Sequence, residues 1–421
     1  MTTIRALIAI AASKGWDIFQ LDVNNAFLHG DLNEEVYMRM PKGIENPGNK
    51  FCKLNKSLYR LKQASRQWFF KLHTVLLHQG FVQSRHDYSL FIKKRGSDIT
   101  IVAVYVDDIL VTGTNHNDIQ TLKAHLDTIF SIKDLGILHY FLGIEVSYSQ
   151  AGIILTQKKF TKSLLDNCGF DLSKSAPAPL SLNTKLLDNS GDLYAHPDHY
   201  RSLIRKLNFL THTRPDLSFS VQTLSQFMHT PRQPHVDALH HVLRYVHGTT
   251  GQGILLHGSA QLTLQAFSDS DWAACPNSRR SVTGYVMLLG HSPISWKSKK
   301  QATVSRSSSE AEYRAMASAA SEITWLIQLL QDLGVYNLEP VLLHCDNMSA
   351  IHIAKNPVFH ERTKHIEVDC HFTRDKVLEG LLQLTYLPTQ NQLADVFTKA
   401  LPSPQFCKLL TKLGVVNTTP A

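Results

Sequence analysis

The hexapeptide YVDDIL, Tyr105 to Leu110, sets two carboxylates side by side between strand-forming residues. Like charges crowded together repel, so the pair is tolerable only where water or cations neutralise it. For the pair alone two readings stay open. One is a solvated acidic turn; the other is a site for phosphoryl transfer in which two divalent cations about 3.5–4 Å apart clamp the attacking and leaving oxygens. Carboxylates suit Mg²⁺, a hard ion that keeps waters and phosphate oxygens among its ligands. A third acid, Asp22, ends the strand-like run WDIFQLD ahead of a polar turn.

The surrounding pattern says what must hold these acids. ITIVAVYV and ILVTG read as the arms of a β-hairpin with Asp107 and Asp108 at its tip. DIQTLKAHLDTIF places Ile119, Leu122, Leu126 and Ile129 at helical spacing, and PHVDALHHVLRYVHG carries a second helical stripe closed by Gly248 as a C-cap. The Ser/Pro/Asn/Asp-rich stretch 171–198 reads as a linker or an irregular excursion. From about Gly253 the pattern changes. A strand-like run and the hairpin SVTGYVMLLGHSPISWKS precede a long helix, SSSEAEYRAMASAASEITWLIQLLQDLG, that ends at Gly334. The strand VLLHCD, a short helix from Met348, strand-like LLQLTYLP and a helix over NQLADVFTKAL complete an α/β domain with mixed strands.

At 421 residues the chain exceeds one ordinary core, and its length suggests about three domains. A net charge of +8 favours a polyanionic partner, because basic side chains release counterions from phosphates. The six cysteines form no CxxC pair, which fits reduced thiols in a cytoplasmic or nuclear setting. ALIAIAAS after Arg5 reads as an amphipathic helix rather than a signal peptide, and no apolar run approaches the roughly 20 residues of a membrane span.

Longer motifs carry a resemblance. QLDVNNAFLHGDL, SLYRLKQASRQWF, YVDDILVTG and FSIKDLGILHYFLGIEV stand in the order and spacing of the reverse transcriptase of copia-type LTR retrotransposons. TRPDLSFSVQTLSQFM, AFSDSDWA, RRSVTGY, SSSEAEYRAM, HCDN, RTKHIEVDCHF and NQLADVFTKAL resemble the connection and ribonuclease H of the same Pol polyprotein. The resemblance covers almost the whole chain. It implies an α/β (α+β) fold, with a reverse transcriptase palm and partial fingers over 1–148, a thumb/connection region over 149–258, a ribonuclease H-like mixed-sheet domain over 259–402 and a tail over 403–421. The implied activities are RNA-directed DNA synthesis and cleavage of RNA in RNA–DNA hybrids, with Mg²⁺, or Mn²⁺ in its place. The implied partners are an RNA template, a DNA primer, the hybrid and deoxynucleoside triphosphates, with no membrane.

Carried over by position, Asp22, Asp107 and Asp108 look like the polymerase metal ligands. Phe27 matches the steric gate whose ring would collide with a ribose 2′-hydroxyl, the atom that separates RNA from DNA building blocks. Gln63 looks like the residue beside the incoming nucleotide. Lys133 reads either as a general acid for pyrophosphate departure or as a solvated lysine. The second set, Asp269, Glu312, Asp346 and Asp395, looks like the ribonuclease metal ligands, again a two-metal arrangement but with water as nucleophile. Glu312 is chosen over Glu310 because its helical face continues through Met316, Ala319, Ile323 and Ile327, whereas Glu310 shares a face with Arg314 and Ser321 and is expected in solvent.

Other features point elsewhere. His360, His365, Cys370 and His371 fit no common zinc spacing and read as part of a helix. Arg279 and Arg280 read as phosphate contacts or a solvated turn, and Trp272 and Trp296 as core. The resemblance implies finger strands ahead of Met1, so the sequence is expected to be an N-terminally truncated fragment with an impaired polymerase and an intact set of hydrolase acids. The alternative is an inactive nucleic-acid-binding remnant. Arg60 and Arg205 stand where the family shows glycine and are expected to add strain or bulk, and Ser65 replaces a proline. YLPTQNQLAD lacks the loop histidine of cellular ribonucleases H.

Overall fold

Nearly continuous apolar runs around YVDDIL form the central strands of a six-stranded antiparallel sheet, ordered Val82–Gln83, Leu90–Arg95, Asp98–Tyr105, Asp108–Gly113, Ile18–Val23, Ile132–Ile137. The computed structural model describes residues 1–45, 48, 50–182, 184–258, 261–355 and 367–418. Two compact units emerge: Trp16–Leu138 with Asp332–Gly334, and Met1–Gly15 with His139–Gln331 and Val335–Ala421.

In the first unit Phe19, Leu21, Val102, Val104, Ile109 and Val111 form one apolar sheet face. The helices Ala64–His78 and His116–Phe130 cover it with Trp68, Leu72, Leu76, Ile119, Leu122, Leu126 and Phe130. The second helix starts at His116, ahead of the expected DIQTLKAHLDTIF run, because the Asn115 side chain accepts from the backbone N–H groups of Asn117 and Asp118. Ile129 departs from its expected place. It is 37% exposed, and Phe130, completing the four-residue step from Leu126, takes the core position.

The second unit contains two five-stranded sheets. One is antiparallel, ordered Val415–Asn417, Gln252–His257, Gly152–Thr156, Ile144–Ser149, Tyr140–Phe141. The other is mixed: Ser292–Lys300, Val282–Leu289 and Leu264–Asp271 pair antiparallel, then Val341–Cys345 and Leu382–Tyr386 add parallel. The long helix Ser308–Asp332 buries Met316, Ala319, Ile323 and Ile327, the stripe its sequence announces. Residues 171–196 contain no helix or strand among those described, yet Ala178, Leu180 and Leu186 are buried, so the stretch is a packed irregular excursion.

Three expectations need correction. The helix Thr2–Lys14 buries every residue from Arg5 to Ala11, so it is enclosed on all sides rather than amphipathic. It packs in the second unit, against Ser292–Lys300, Gln252–His257 and Gly152–Thr156. Gly248 is the last residue of the helix Gln233–Gly248, and Thr249 is its C-cap. Arg205 lies exposed on the helix Pro197–Leu210, where arginine is a better helix former than glycine and brings no strain. Arg60 behaves as expected: its φ is 77°, in the left-handed region. No helix among the described residues is long and apolar enough to cross a membrane.

Candidate active sites

In the first unit, strand register gathers the acids. Asp22 pairs directly with Asp108, and Tyr105 pairs with Asp108 across the hairpin, leaving Val106 and Asp107 as a two-residue turn. Val106 sits at φ 57°, a conformation costly for a β-branched residue and usually given to glycine in such loops. Two backbone carbonyls fasten the strained turn. Val106 accepts from the Trp68 indole N–H at 2.6 Å, and Asp107 accepts from the Val23 N–H at 3.0 Å. Gln20, on the face of Asp22, donates to Asp108 Oδ1 at 3.1 Å. Burial pushes the Asp108 carboxyl up, with Asp107 and Asp22 adding repulsion against the hydrogen bond from Gln20. All three acids are half-buried, and among the described residues they are not drawn into a group with ligand atoms within 4.8 Å of one another.

The neighbouring candidates fall on adjoining elements. Lys133 is exposed and stands opposite Asp22 on the strand Ile132–Ile137, so the sheet brings it to the acids. Phe27 lies on the short 3₁₀ turn Ala26–His29 against the Tyr59 ring, 4.7 Å between centroids. Gln63 begins the helix Ala64–His78 and donates to Glu34 Oε1 at 2.8 Å.

The second set is built differently. Asp269 lies in the central strand Leu264–Asp271 and is 2% exposed. Asp346 follows the adjacent strand Val341–Cys345 and accepts from the Thr389 hydroxyl at 2.7 Å. Glu312, in the opening turns of the long helix, accepts from the Ser270 N–H at 3.0 Å and from the Cys345 thiol at 3.7 Å. Asp395, 1% exposed, sits on the 3₁₀ turn Leu393–Phe397 rather than on the α-helix its sequence suggests. Ligand oxygens of Asp269, Asp346 and Asp395 all lie within 4.8 Å of one another, and ligand atoms of Glu312, Cys345 and Asp346 do likewise.

A glycine makes the gathering possible. Gly284 pairs with Asp269, and a Cβ there would stand 2.6 Å from Thr398 Cγ2, 2.8 Å from Phe397 Cβ and 2.9 Å from the Ala394 carbonyl. Without it the turn bearing Asp395 could not lie against the sheet. Gln392 ties the same turn down, accepting from the Ala394 N–H and donating to the Ser268 carbonyl at 3.0 Å. Thr398 then donates to Asp269 Oδ2, and Lys399 Nζ lies 2.9 Å from Asp395 Oδ1 and 3.3 Å from Asp269 Oδ2. The sequence reading missed Gly284, Thr398 and Lys399. The only signal for Lys399 is its spacing, four residues beyond Asp395.

Burial dominates the electrostatics. It raises Asp395 to about 7, with the Asp269 charge adding and Lys399 opposing. It pushes Glu312 well up, assisted by Asp269 and Asp346, and raises Asp346 against its bond from Thr389. Three buried carboxylates and the half-buried Asp346, which repel one another and offer hard oxygens, fit a divalent cation.

Other candidates are placed as follows. Glu310 is 5% exposed rather than solvated: it accepts from the Arg306 N–H at 2.8 Å and pairs with Arg314 at 2.9 Å, so its charge is satisfied inside. Trp272 is 47% exposed and not core, its indole donating to the Ser305 carbonyl at 3.0 Å. Trp296 is half-buried beneath the Arg5 guanidinium, 3.6 Å from the ring centroid. Arg279 is exposed in a turn at φ 56°. His360 and His365 lie outside the described residues, as does the side chain of Cys370.

The sequence profile of the reverse transcriptase (RNA-dependent DNA polymerase) family matches residues 1–181. The retrovirus-related Pol polyprotein from transposon RE1 of Arabidopsis thaliana is 44% identical over 422 residues, covering 100% of this chain and 29% of the relative. A protein of transposon Ty5-1 in Saccharomyces cerevisiae is 30% identical over 308 residues, covering 72% of this chain and all of the relative. The solved foamy viral protease-reverse transcriptase in complex with an RNA/DNA hybrid aligns with 92% of this chain and 45% of its own, at 13% identity and a TM-score of 0.47. The chain thus spans 29% of the length of the RE1 polyprotein.

Proposed function

Because the chain belongs to the copia-type family of LTR retrotransposon Pol polyproteins, we propose that its mixed-sheet domain cleaves the RNA strand of RNA–DNA hybrids, using divalent cations held by Asp269, Glu312, Asp346 and Asp395. The observation that carries this reading is the convergence of four carboxylates from four separate elements into a buried cluster. A divalent cation among these oxygens offsets such repulsion without protonating the acids.

A bound divalent cation supplies an activated water and stabilises charge on the cleaved phosphate. The protein's own contribution is orientation. The Ser270 N–H fixes Glu312, the Thr389 hydroxyl fixes Asp346 and Thr398 fixes Asp269, so the oxygens need little reorganisation when substrate arrives. The hard oxygen set favours Mg²⁺, with Mn²⁺ as a substitute.

For the first unit the proposed chemistry is RNA-templated DNA synthesis at Asp22, Asp107 and Asp108. Phe27 excludes ribonucleotides, Gln63 lies beside the incoming deoxynucleoside triphosphate, and Lys133 donates a proton to pyrophosphate. The proposed division is palm 1–148, thumb/connection 149–258, ribonuclease H 259–402 and tail 403–421. Arg60, at φ 77° in the LKQA-bearing loop, favours a second reading for this unit, a weakened polymerase.

The test is a labelled RNA–DNA hybrid incubated with the purified chain, with and without Mg²⁺. Mg²⁺-dependent cleavage that disappears in Asp346→Asn is expected. Cleavage that persists in that variant, or in excess EDTA, would sink the reading.

A further inference from the structure

The cluster already contains one cation of its own. Lys399 pairs with Asp395 and Asp269, whereas Glu312 and Asp346 are held by the Ser270 N–H and the Thr389 hydroxyl. The ammonium therefore makes its direct contacts on one side of the cluster, while the hydrogen bonds on the other side come from neutral donors and its charge reaches Glu312 and Asp346 only from a distance. Asp395 and Asp269 are 1% and 2% exposed, yet the Lys399 side chain is 30% exposed, so its stem reaches the acids from the surface. It also lines a cavity of about 340 Å³ with Asp271 and Cys275, and the Asp271 carboxylate acts on it electrostatically.

These facts describe a charge with two perches. On the acids, Lys399 neutralises repulsion that burial makes severe. A divalent cation arriving among the same oxygens repels an ammonium at contact range, and a four-carbon stem with a cavity behind it can withdraw toward Asp271. We propose that Lys399 is a tethered counter-cation that occupies the Asp269–Asp395 side of the cluster and exchanges against the divalent ion, so that its release sets the metal affinity of the site. The inference rests on the hydrolase reading above and adds to it a residue that positions and competes, without touching substrate.

Calorimetric Mg²⁺ titration and melting in EDTA, on the whole chain, test it. The relevant part of the titration is the part lost in Asp346→Asn, which separates this cluster from the acids of the first unit. Lys399→Met should bind Mg²⁺ at least about tenfold more tightly, because no competitor must be displaced. It should also melt roughly 5 °C lower in EDTA, with the gap closing at saturating Mg²⁺. Lys399→Arg, which keeps the charge, should remain near wild type. Should Lys399→Met fail to fold, Asp271→Asn provides the second arm: removing the alternative perch should weaken Mg²⁺ binding. Unchanged Mg²⁺ affinity in folded Lys399→Met, or in Asp271→Asn, overturns the counter-cation while leaving the hydrolase reading intact. Absence of any Asp346-dependent Mg²⁺ binding in the wild type removes both.

Discussion

The two sets of acids solve one electrostatic problem in opposite ways. Asp107 and Asp108 at a strained hairpin tip, and Asp22 on the neighbouring strand, are half-buried, and the backbone carbonyls of the tip are pinned by Trp68 and Val23. Asp269, Glu312 and Asp395 are almost fully buried, and their set is pinned through the carboxylates themselves by Ser270, Thr389, Thr398 and Lys399. Water screens the first set and the protein screens the second. The half-buried turn shows its repulsion in one raised carboxyl, Asp108, whereas the buried cluster shows it in three, Glu312, Asp346 and Asp395.

Substitutions can break this contrast, and the largest effect should fall on chemistry. Glu312→Gln keeps the acceptor for Ser270 but removes the charge; hybrid cleavage should fall by at least about 10²–10³-fold, while the melting temperature in EDTA holds or rises. A clear loss of stability would show that the cluster is not repulsive. A stability–pH profile comes next. Asp395 has a folded pKa of about 7, above its unfolded value, so the stability it contributes is full below roughly pH 4 and lost as pH rises through 7. Without metal this loss should appear in the wild type, and denaturant melts of Asp395→Asn should lack that part of the slope.

Gly284→Ala should cost about 1–3 kcal/mol by overpacking against Thr398, Phe397 and Ala394 and should weaken cleavage by displacing Asp395. Wild-type urea midpoints would show that the turn can move. The smallest effect belongs to the first unit. Arg60→Gly, at φ 77°, should raise stability by about 1 kcal/mol in denaturant unfolding, since glycine accepts that conformation. A destabilised Arg60→Gly would mean that the arginine side chain does more than strain its loop.

Much of the scaffold was legible because local pattern dictates it. The hairpin around YVDDIL follows from two apolar runs flanking the paired acids, the stripe from Glu312 to Ile327 from helical spacing, and the mixed strands from the order of strand-like and helical segments. Details set by tertiary approach were not. Glu310 and Glu312 are both buried, because Arg314 pairs with the former while the end of the central strand, through the Ser270 N–H, receives the latter. Gly284 reads as a strand glycine until the Asp395 turn is laid across it. Thr398 and Lys399 matter only through side chains folded back over that turn. The enclosed helix Thr2–Lys14 misled for a similar reason, since short apolar runs do not say how many neighbours will cover them.

The most direct test of the account crosses the two sets. Asp108→Asn and Asp346→Asn should each be assayed for primer extension on an RNA template and for cleavage of a labelled RNA–DNA hybrid in Mg²⁺. The account predicts that Asp346→Asn abolishes cleavage and that Asp108→Asn leaves it at wild-type level, whatever extension remains. Cleavage lost in Asp108→Asn, or retained in Asp346→Asn, would contradict the claim that the buried cluster is the hydrolytic centre.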